Sequence, residues 1–345
     1  MARRTTFSMA SFNLYNINLP GLPVYRDTDG WDQVSYDKKV AWSAAQLTDM
    51  PADVWGFQEL WHEQALADVF IKAGLQDQYE LLVPENQLGQ RIVCGAAVRK
   101  AILVGEPEWI EHFPEKFRLM SGGGDAQTSE ISVAIDKFSR PVLHFKVRPR
   151  ANGKPISIYV AHFKSKAPTP LYFEQWYKDD RDYYAKHSSA LGAAISTIRR
   201  TTEATALRMI LTEEMKENDN PVVVLGDLND SQSSNTLNIL TGQPNYLLSG
   251  LSVGGSDTAL YTVGMLQQYR SLRDVYYTHI YRNSRESLDH ILVSQEFYDN
   301  SKKREWAFKG MDLHNDHLNS DDHKQTGTSD HGIVRANFEY RPIKQ

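Results

Sequence analysis

Short apolar runs, each closed by a polar residue, recur along the whole chain. FSMASF ends at Asn13, VWGFQ at Glu59, ISIYVA at His162, and PVVVLG at Asp227 with Asn229 just behind it. Runs of this kind bounded by Gly or Pro read as buried strands. The pattern predicts strands near 7–13, 53–58, 79–83, 91–99, 102–109, 129–136, 141–148, 155–162, 221–226, 288–293, 303–309 and 332–340. Helical spacing predicts a helix near 33–49, with Val34, Val40, Ala44 and Leu47 on its apolar stripe. Other helices are predicted near 62–73 and 235–241, and one or two long ones between Asp180 and Glu217. There Leu191, Ile195 and Ile198 keep one stripe, and Leu207, Ile210, Leu211 and Met215 another. Strands outnumber helices and many follow one another directly. That order predicts two packed, mostly antiparallel sheets with helices outside, rather than a doubly wound parallel sheet.

Composition narrows the class without naming a chemistry. The 345 residues are 41% hydrophobic and 23% charged, ordinary for a soluble globular protein. No repeat, low-complexity tract or linker separates two cores, so residues 1–345 are expected to form one domain. Cys94 stands alone, which excludes an internal disulfide. No run approaches 18 apolar residues, so no membrane-spanning helix and no integral membrane association are expected. The opening MARRTT carries Arg3 and Arg4 but no apolar segment behind them. The expectation is a cytoplasmic chain, or one secreted after removal of a leader not present here. The net charge of −5 means that any polyanion must be held by a local basic patch.

A polar residue at the exit of a buried strand fits a core poorly and a rim well. Glu59 suits a hard cation such as Mg²⁺, which prefers carboxylate oxygens; a surface Glu opening the next helix is the plainer alternative. Gly226 lets the chain turn so that Asp227 and Asn229 present an acceptor and an amide together. Such a pair can hold a water and steady a phosphoryl oxygen, whereas an Asx-turn needs only one of them. Of the Asp-His dipeptides, those at 316–317 and 322–323 lie in a polar stretch that reads as solvated loop. Asp289 and His290 open LDHILV and point to opposite sheet faces. Asp330-His331 stands at the entrance of GIVRANF, where an imidazole oriented by a carboxylate makes a general acid or base. His162 is followed by Lys164 and Lys166, a plausible phosphate-facing edge, and Arg140 in FSRPVLHF can clamp a phosphate with two nitrogens. There is no GxSxG elbow, Walker loop, HExxH or GxGxxG.

The ordered set SFNLYN, FQEL, SRPVLHF, VAHFKSK, GDLND, LDHILVS and SDHGIVRANF resembles the endonuclease/exonuclease/phosphatase superfamily. That superfamily includes pancreatic-type deoxyribonucleases, abasic-site endonucleases, neutral sphingomyelinases and inositol polyphosphate 5-phosphatases. The form of HFKSK and the long helix after it are most similar to bacterial nuclease-type members. Any one motif is weak; seven in order between residues 11 and 338 are specific.

The resemblance implies a four-layer α/β sandwich with the site at one edge of two packed sheets, and a Mg²⁺- or Mn²⁺-dependent hydrolase. It places Asn13, Glu59 and Asp330 on the metal side. Arg140 and His162 take the part of phosphate contacts. Asp227 and Asn229 hold the water and the phosphate, and Asp289 orients His331. Either Asp227 or His331 takes the water's proton. The expected substrate is a phosphate ester, nucleic acid foremost; a phosphomonoester, a lipid head group or a catalytically silent binding role are the alternatives. The family's phosphate-contacting Tyr has no evident match. The aromatic stretch over residues 167–187 reads as an insertion, and its rings are expected to pack rather than to stack on bases.

Overall fold

The computed structural model describes residues 5–25, 28–124, 128–243, 255–271, 276–282 and 284–343; Arg3 and Arg4 lie outside them. From the N-terminus, β1 (Thr6–Ile17) leads to α1 (Gln33–Asp49), β2 (Val54–His62) and α2 (Glu63–Ala73). Next come β3 (Tyr79–Leu82), β4 (Leu88–Arg99), β5 (Leu103–His112) and a small ribbon of β6 (Met120–Ser121) and β7 (Ile131–Ser132). β8 (Lys137–Val147) and β9 (Ile156–His162) precede α3 (Gln175–Asp179), α4 (Arg181–Tyr184) and α5 (Ser188–Met215). Then follow β10 (Val222–Asp227), α6 (Asn235–Thr241), β11 (Tyr261–Thr262) and α7 (Val263–Gln268). A second ribbon, β12 (His279–Tyr281) with β13 (Ser284–Glu286), leads into β14 (Asp289–Val293). β15 (Trp306–His314), α8 (His323–Thr326) and β16 (Ile333–Tyr340) end the chain.

Two six-stranded sheets result, ordered β15-β16-β1-β2-β4-β3 and β11-β14-β10-β9-β8-β5. Each is antiparallel except for one central parallel pair, β1 with β2 and β9 with β10. A parallel pair needs a crossover. The segment containing α1 supplies one, and the segment containing α5 the other.

Alternation along the strands sorts side chains into layers. Met9, Val54, Val160, Val223, Leu225, Ile291 and Phe338 meet between the sheets. Phe12, Trp55 and Phe57 turn outward under α1 and α2, while Tyr159, Val222 and Val224 turn outward under α5 and α6. The molecule is therefore an α/β sandwich of four layers: helices, sheet, sheet, helices.

Several expectations about elements need correction. The strand expected at 129–136 shrinks to β7, which pairs with β6 in the small ribbon rather than in either large sheet and leaves Ile131 61% exposed, with no core face to bury it. Val34 is 65% exposed, so the inner stripe of α1 runs instead through Tyr36, Lys39, Val40, Ser43, Ala44 and Leu47. In α5 the inward stripe is Leu207, Leu211 and Met215, while Leu191, Ile195 and Ile198 face out. The ribbon at 279–286 and the short helix α7 replace what reads in the sequence as an irregular stretch.

Candidate active site

The inter-sheet face turns from apolar to polar at one end of the sandwich. Met9 is followed on that face by Ser11 and Asn13, Val160 by His162 and Leu225 by Asp227, while Asp289 precedes Ile291. Pairing fixes the lateral order: Asp227 lies directly opposite His162 on β9 and directly opposite Asp289 on β14. Residues opposite one another in a sheet share a face at about 5 Å between Cβ atoms. One transverse row of the second sheet therefore reads His162, Asp227, Asp289. From the first sheet, Asn13 reaches across and donates from Nδ2 to Asp227 Oδ2 at 3.2 Å.

Bulges aim the remaining groups. Beyond Asn13 the β1–β2 register breaks, with Tyr15 and Asn16 at φ 52°, and β2 breaks at Glu59 with φ 58°. These are left-handed conformations that cost non-glycine residues energy and collect at functional sites. The result turns the Glu59 carboxylate toward the site, where Oε2 accepts from the Asn16 N–H at 3.0 Å. The plainer reading of Glu59 as a surface residue opening α2 is overturned, because β2 runs on to His62 and His62 caps the helix. Asn229, at φ 54°, gives its backbone N–H to Asp227 Oδ1 at 2.9 Å and its side-chain amide to the Phe163 carbonyl at 3.1 Å. The turn is an Asx-turn, and it also presents Asn229 to the cavity.

His331 is held from both sides. Its Nδ1 pairs with Asp289 Oδ2 at 2.8 Å, and its Nε2 faces Asp227 Oδ2 at 3.8 Å. Thr278 Oγ1 accepts from the backbone N–H groups of Leu288 and Asp289, and the Gly332 N–H donates to the Thr278 carbonyl. His162 Nε2 lies 3.5 Å from the same Asp227 oxygen, while its buried Nδ1 has no protein partner. Burial, then the charges of Arg140 and His331, push the His162 pKa well below its usual value, so this imidazole is neutral. Burial also pulls on His331, but Asp289 and Asp227 outweigh it and hold its pKa well above the usual 6.5. Burial raises Asp227 to about 7, opposed by His331 and reinforced by Asp289 and Glu59. Glu59 is raised as well, by burial and by its neighbour Asp330.

Glu59, His162, Asp227, Asn229, Asp330 and His331 line one cavity of about 430 Å³, together with Tyr25, Arg140, Lys166, His279 and Tyr281. Arg140 Nη1 donates to the Phe163 carbonyl at 3.1 Å, which fixes the guanidinium at the wall. Lys166 reaches the cavity but is paired with Glu286 at 2.5 Å and with Asp230 at 3.5 Å. Lys164 turns instead to oxygens of Ser165 and Ala167. Asn13 Oδ1 already accepts from the Tyr15 N–H at 2.9 Å, so this amide bridges the sheets rather than standing free. Two carboxylate oxygens, Asp330 Oδ1 and Asp289 Oδ1, are buried with no hydrogen-bond partner. A buried, unpartnered carboxylate oxygen is costly unless a cation satisfies it, so Asp330 beside Glu59 fits a hard divalent ion.

Four residues escaped the sequence reading. Tyr25, in the Pro- and Gly-rich loop, is raised to about 12 by burial and by Glu59, opposed by Arg140. Gln58, one position before Glu59, accepts from Ser11 at 3.2 Å and keeps a buried, unpartnered Nε2. His279 and Tyr281 sit on a ribbon too short for its alternation to be legible. The Asp-His pairs read as solvated loop are partly structural: His317 Nε2 pairs with the His331 carbonyl at 2.8 Å, and His323 Nδ1 with Thr328 Oγ1 at 2.8 Å. Among the aromatics of residues 167–187, Tyr177 is buried, whereas Tyr172, Phe173, Trp176 and Tyr183 remain 42–56% exposed.

The model of the Endonuclease/Exonuclease/phosphatase family matches residues 135–331, more than half of the chain. The chain belongs to that family. Its members are, in general, hydrolytic, metal-dependent phosphoesterases. Solved structures agree on the fold. The human Nocturnin catalytic domain with bound sulfate superposes with a TM-score of 0.57 at 13% identity, over 98% of this chain and 96% of that one. D. rerio TDP2 complexed with single strand DNA product gives 0.54 at 15% identity, over 97% and 99%. An endonuclease/exonuclease/phosphatase from Bacteroides vulgatus gives 0.52 at 14% identity, over 98% and 100%. No curated protein sequence matches the chain. Among the described residues, no helix is long and apolar enough to cross a membrane.

Proposed function

We propose that the chain is a Mg²⁺- or Mn²⁺-dependent phosphodiester hydrolase, nuclease-like, in which an activated water attacks the phosphorus in line with the leaving oxygen. The observation that carries this reading is the buried series Asp289–His331–Asp227, which faces Glu59 and Asp330 across one cavity. Asp227, raised to about 7, is a carboxylate poised to accept the water's proton near neutral pH. His331, kept protonated by its two carboxylate neighbours, stabilises the charge that develops on the phosphoryl oxygens. Neutral His162 and the amide of Asn229 orient the ester, and Arg140 offers its remaining guanidinium nitrogens to a phosphate oxygen. Glu59 and Asp330 are the residues for the divalent ion, with Asn13 holding Asp227 in register behind them. A bound Mg²⁺ or Mn²⁺ would supply Lewis-acid neutralisation of the phosphoryl and leaving oxygens.

Nucleic acid is the substrate assigned first, in keeping with the single-strand DNA product held by the D. rerio TDP2 neighbour. The net charge of −5 favours the second reading, a small phosphate ester or lipid head group of the same chemistry. A panel of plasmid DNA, RNA, sphingomyelin and inositol phosphates, with Mg²⁺ or EDTA and at rising salt, decides between them. Nucleic-acid cleavage that needs Mg²⁺ and weakens steeply with salt is expected, since screening acts on each phosphate contact. Asp227→Ala and His331→Ala should each lower kcat by about 10²-fold or more. Full turnover by both variants would retire the assignment.

A further inference from the structure

His279 has no part in the chemistry proposed above, yet the fold holds it against the centre of the site. It forms an isolated antiparallel bridge with His331, and the two rings lie 5.0 Å apart. Residues directly opposite in an antiparallel pair send their side chains to the same face. One donor atom each from His279, Asp330 and His331 lie within 4.8 Å of one another. Donors around one ion at bonds of about 2.1 Å sit roughly 3.4 Å apart, so small side-chain rotations would close the set.

Two features of the donors point to a ligand rather than to packing. Asp330 Oδ1 is buried without a partner. His331 has the arrangement of a metal-bound histidine, with Nδ1 held by the buried Asp289 carboxylate and Nε2 turned to the cavity. The alternative trio of Asp227, Asp289 and His331 is also compact, but both Asp227 oxygens are engaged by Asn13 and Asn229 and Asp289 Oδ2 holds His331 Nδ1, which leaves Asp289 Oδ1 as its one open carboxylate oxygen.

We infer that His279, Asp330 and His331 form a nitrogen-bearing cation subsite, sharing Asp330 with the Glu59 side, that takes a borderline ion such as Co²⁺ or Zn²⁺ in preference to Mg²⁺, the ion displacing the proton that His331 carries in the metal-free site. Imidazole ligands suit borderline transition metals, whereas Mg²⁺ demands oxygens and retains its waters. The inference rests on the phosphoesterase reading for placing the ion in a working site, but ion binding itself is measured without substrate.

The test is a titration of metal-stripped full-length protein with Co²⁺ and, separately, Mg²⁺, followed by calorimetry and by visible absorption. His279→Ala and His279→Asn should each weaken Co²⁺ binding by about 10-fold or more, because even residues behind a ligand are worth 10–100-fold. Mg²⁺ binding should be unchanged. Co²⁺ affinity equal to that of the wild type, or equal losses for both ions, would overturn the subsite. X-ray absorption at the cobalt edge of the wild type makes the result independent of how the variants fold: two imidazoles are expected, and fewer would overturn it. Hydrolysis of bis-p-nitrophenyl phosphate with Mg²⁺ is assayed alongside. Two-imidazole binding without hydrolysis would refute the phosphoesterase reading alone, and hydrolysis without imidazole ligation would refute the subsite alone.

Discussion

Lys39 has no exposed surface, and its ammonium donates to the Thr328 carbonyl at 2.9 Å. Four rings, those of Phe12, Tyr15, Trp31 and Trp42, lie 5.2–6.0 Å from it. Burial pulls its pKa down to about 7, against the pull of Asp330 and Glu59. Between about 7 and its ordinary 10.5 the unfolded chain therefore binds a proton that the folded chain does not. The unfolded state binding more protons makes stability rise with pH across that window. Compared with Lys39→Met, the wild type should gain unfolding free energy between pH 7 and pH 10 in urea titrations. A constant difference between the two proteins would show that Lys39 keeps its ordinary pKa. Lys39 also marks where residue-level reading stops. Asn13, Glu59, His162, Asp227 and Asp289 were legible because each interrupts a strand's apolar face. Lys39, Tyr25 and His279 take their surroundings from loops and neighbours distant in sequence, and no period announces them.

At the level of elements, the two central parallel pairs end side by side, which is why polar residues from four strands meet. Gly226 makes that junction possible. It sits at φ 147°, and a Cβ there would lie 1.9 Å from the Ala161 carbonyl oxygen of β9. Both the conformation and the approach require glycine. Gly226→Ala should therefore destabilise the fold by about 3 kcal/mol or more, in the range of other large backbone effects, read as a lower denaturant midpoint; a midpoint within error of the wild type would contradict the register described here. The strands themselves were legible from apolar runs, but the pairing was not: which strands are parallel depends on the crossovers through α1 and α5. The 129–136 segment has the alternation of a strand but pairs only through Ile131–Ser132, with β6, outside the two large sheets. The 279–286 ribbon has an edge role, as cavity wall, but only three residues a side.

Across the whole molecule, side chains from both sheets interleave in one inter-sheet core, to which β1, β2, β9, β10, β14 and β16 all contribute. We propose that residues 1–345 behave as one folding unit. Calorimetry should show a single transition with matching calorimetric and van't Hoff enthalpies, and two separated transitions would contradict it. Two packed sheets with helices outside were foreseeable from the order of strands and helices, and the family resemblance implied the four-layer sandwich. The site's electrostatics were not, since the opposite shifts of His162 and His331 depend on which charges the fold packs beside each ring.

The proposed function depends on a divalent ion working between Glu59 and Asp330. The most direct measurement is a crystal of the protein grown with MnCl₂ and a non-hydrolysable phosphodiester, with anomalous data collected at the manganese edge. The expected result is an anomalous peak in bonding contact with the Glu59 and Asp330 carboxylates and with a phosphoryl oxygen of the ester. Manganese bound only elsewhere, with the ester seated away from Asp227 and His331, would contradict the account.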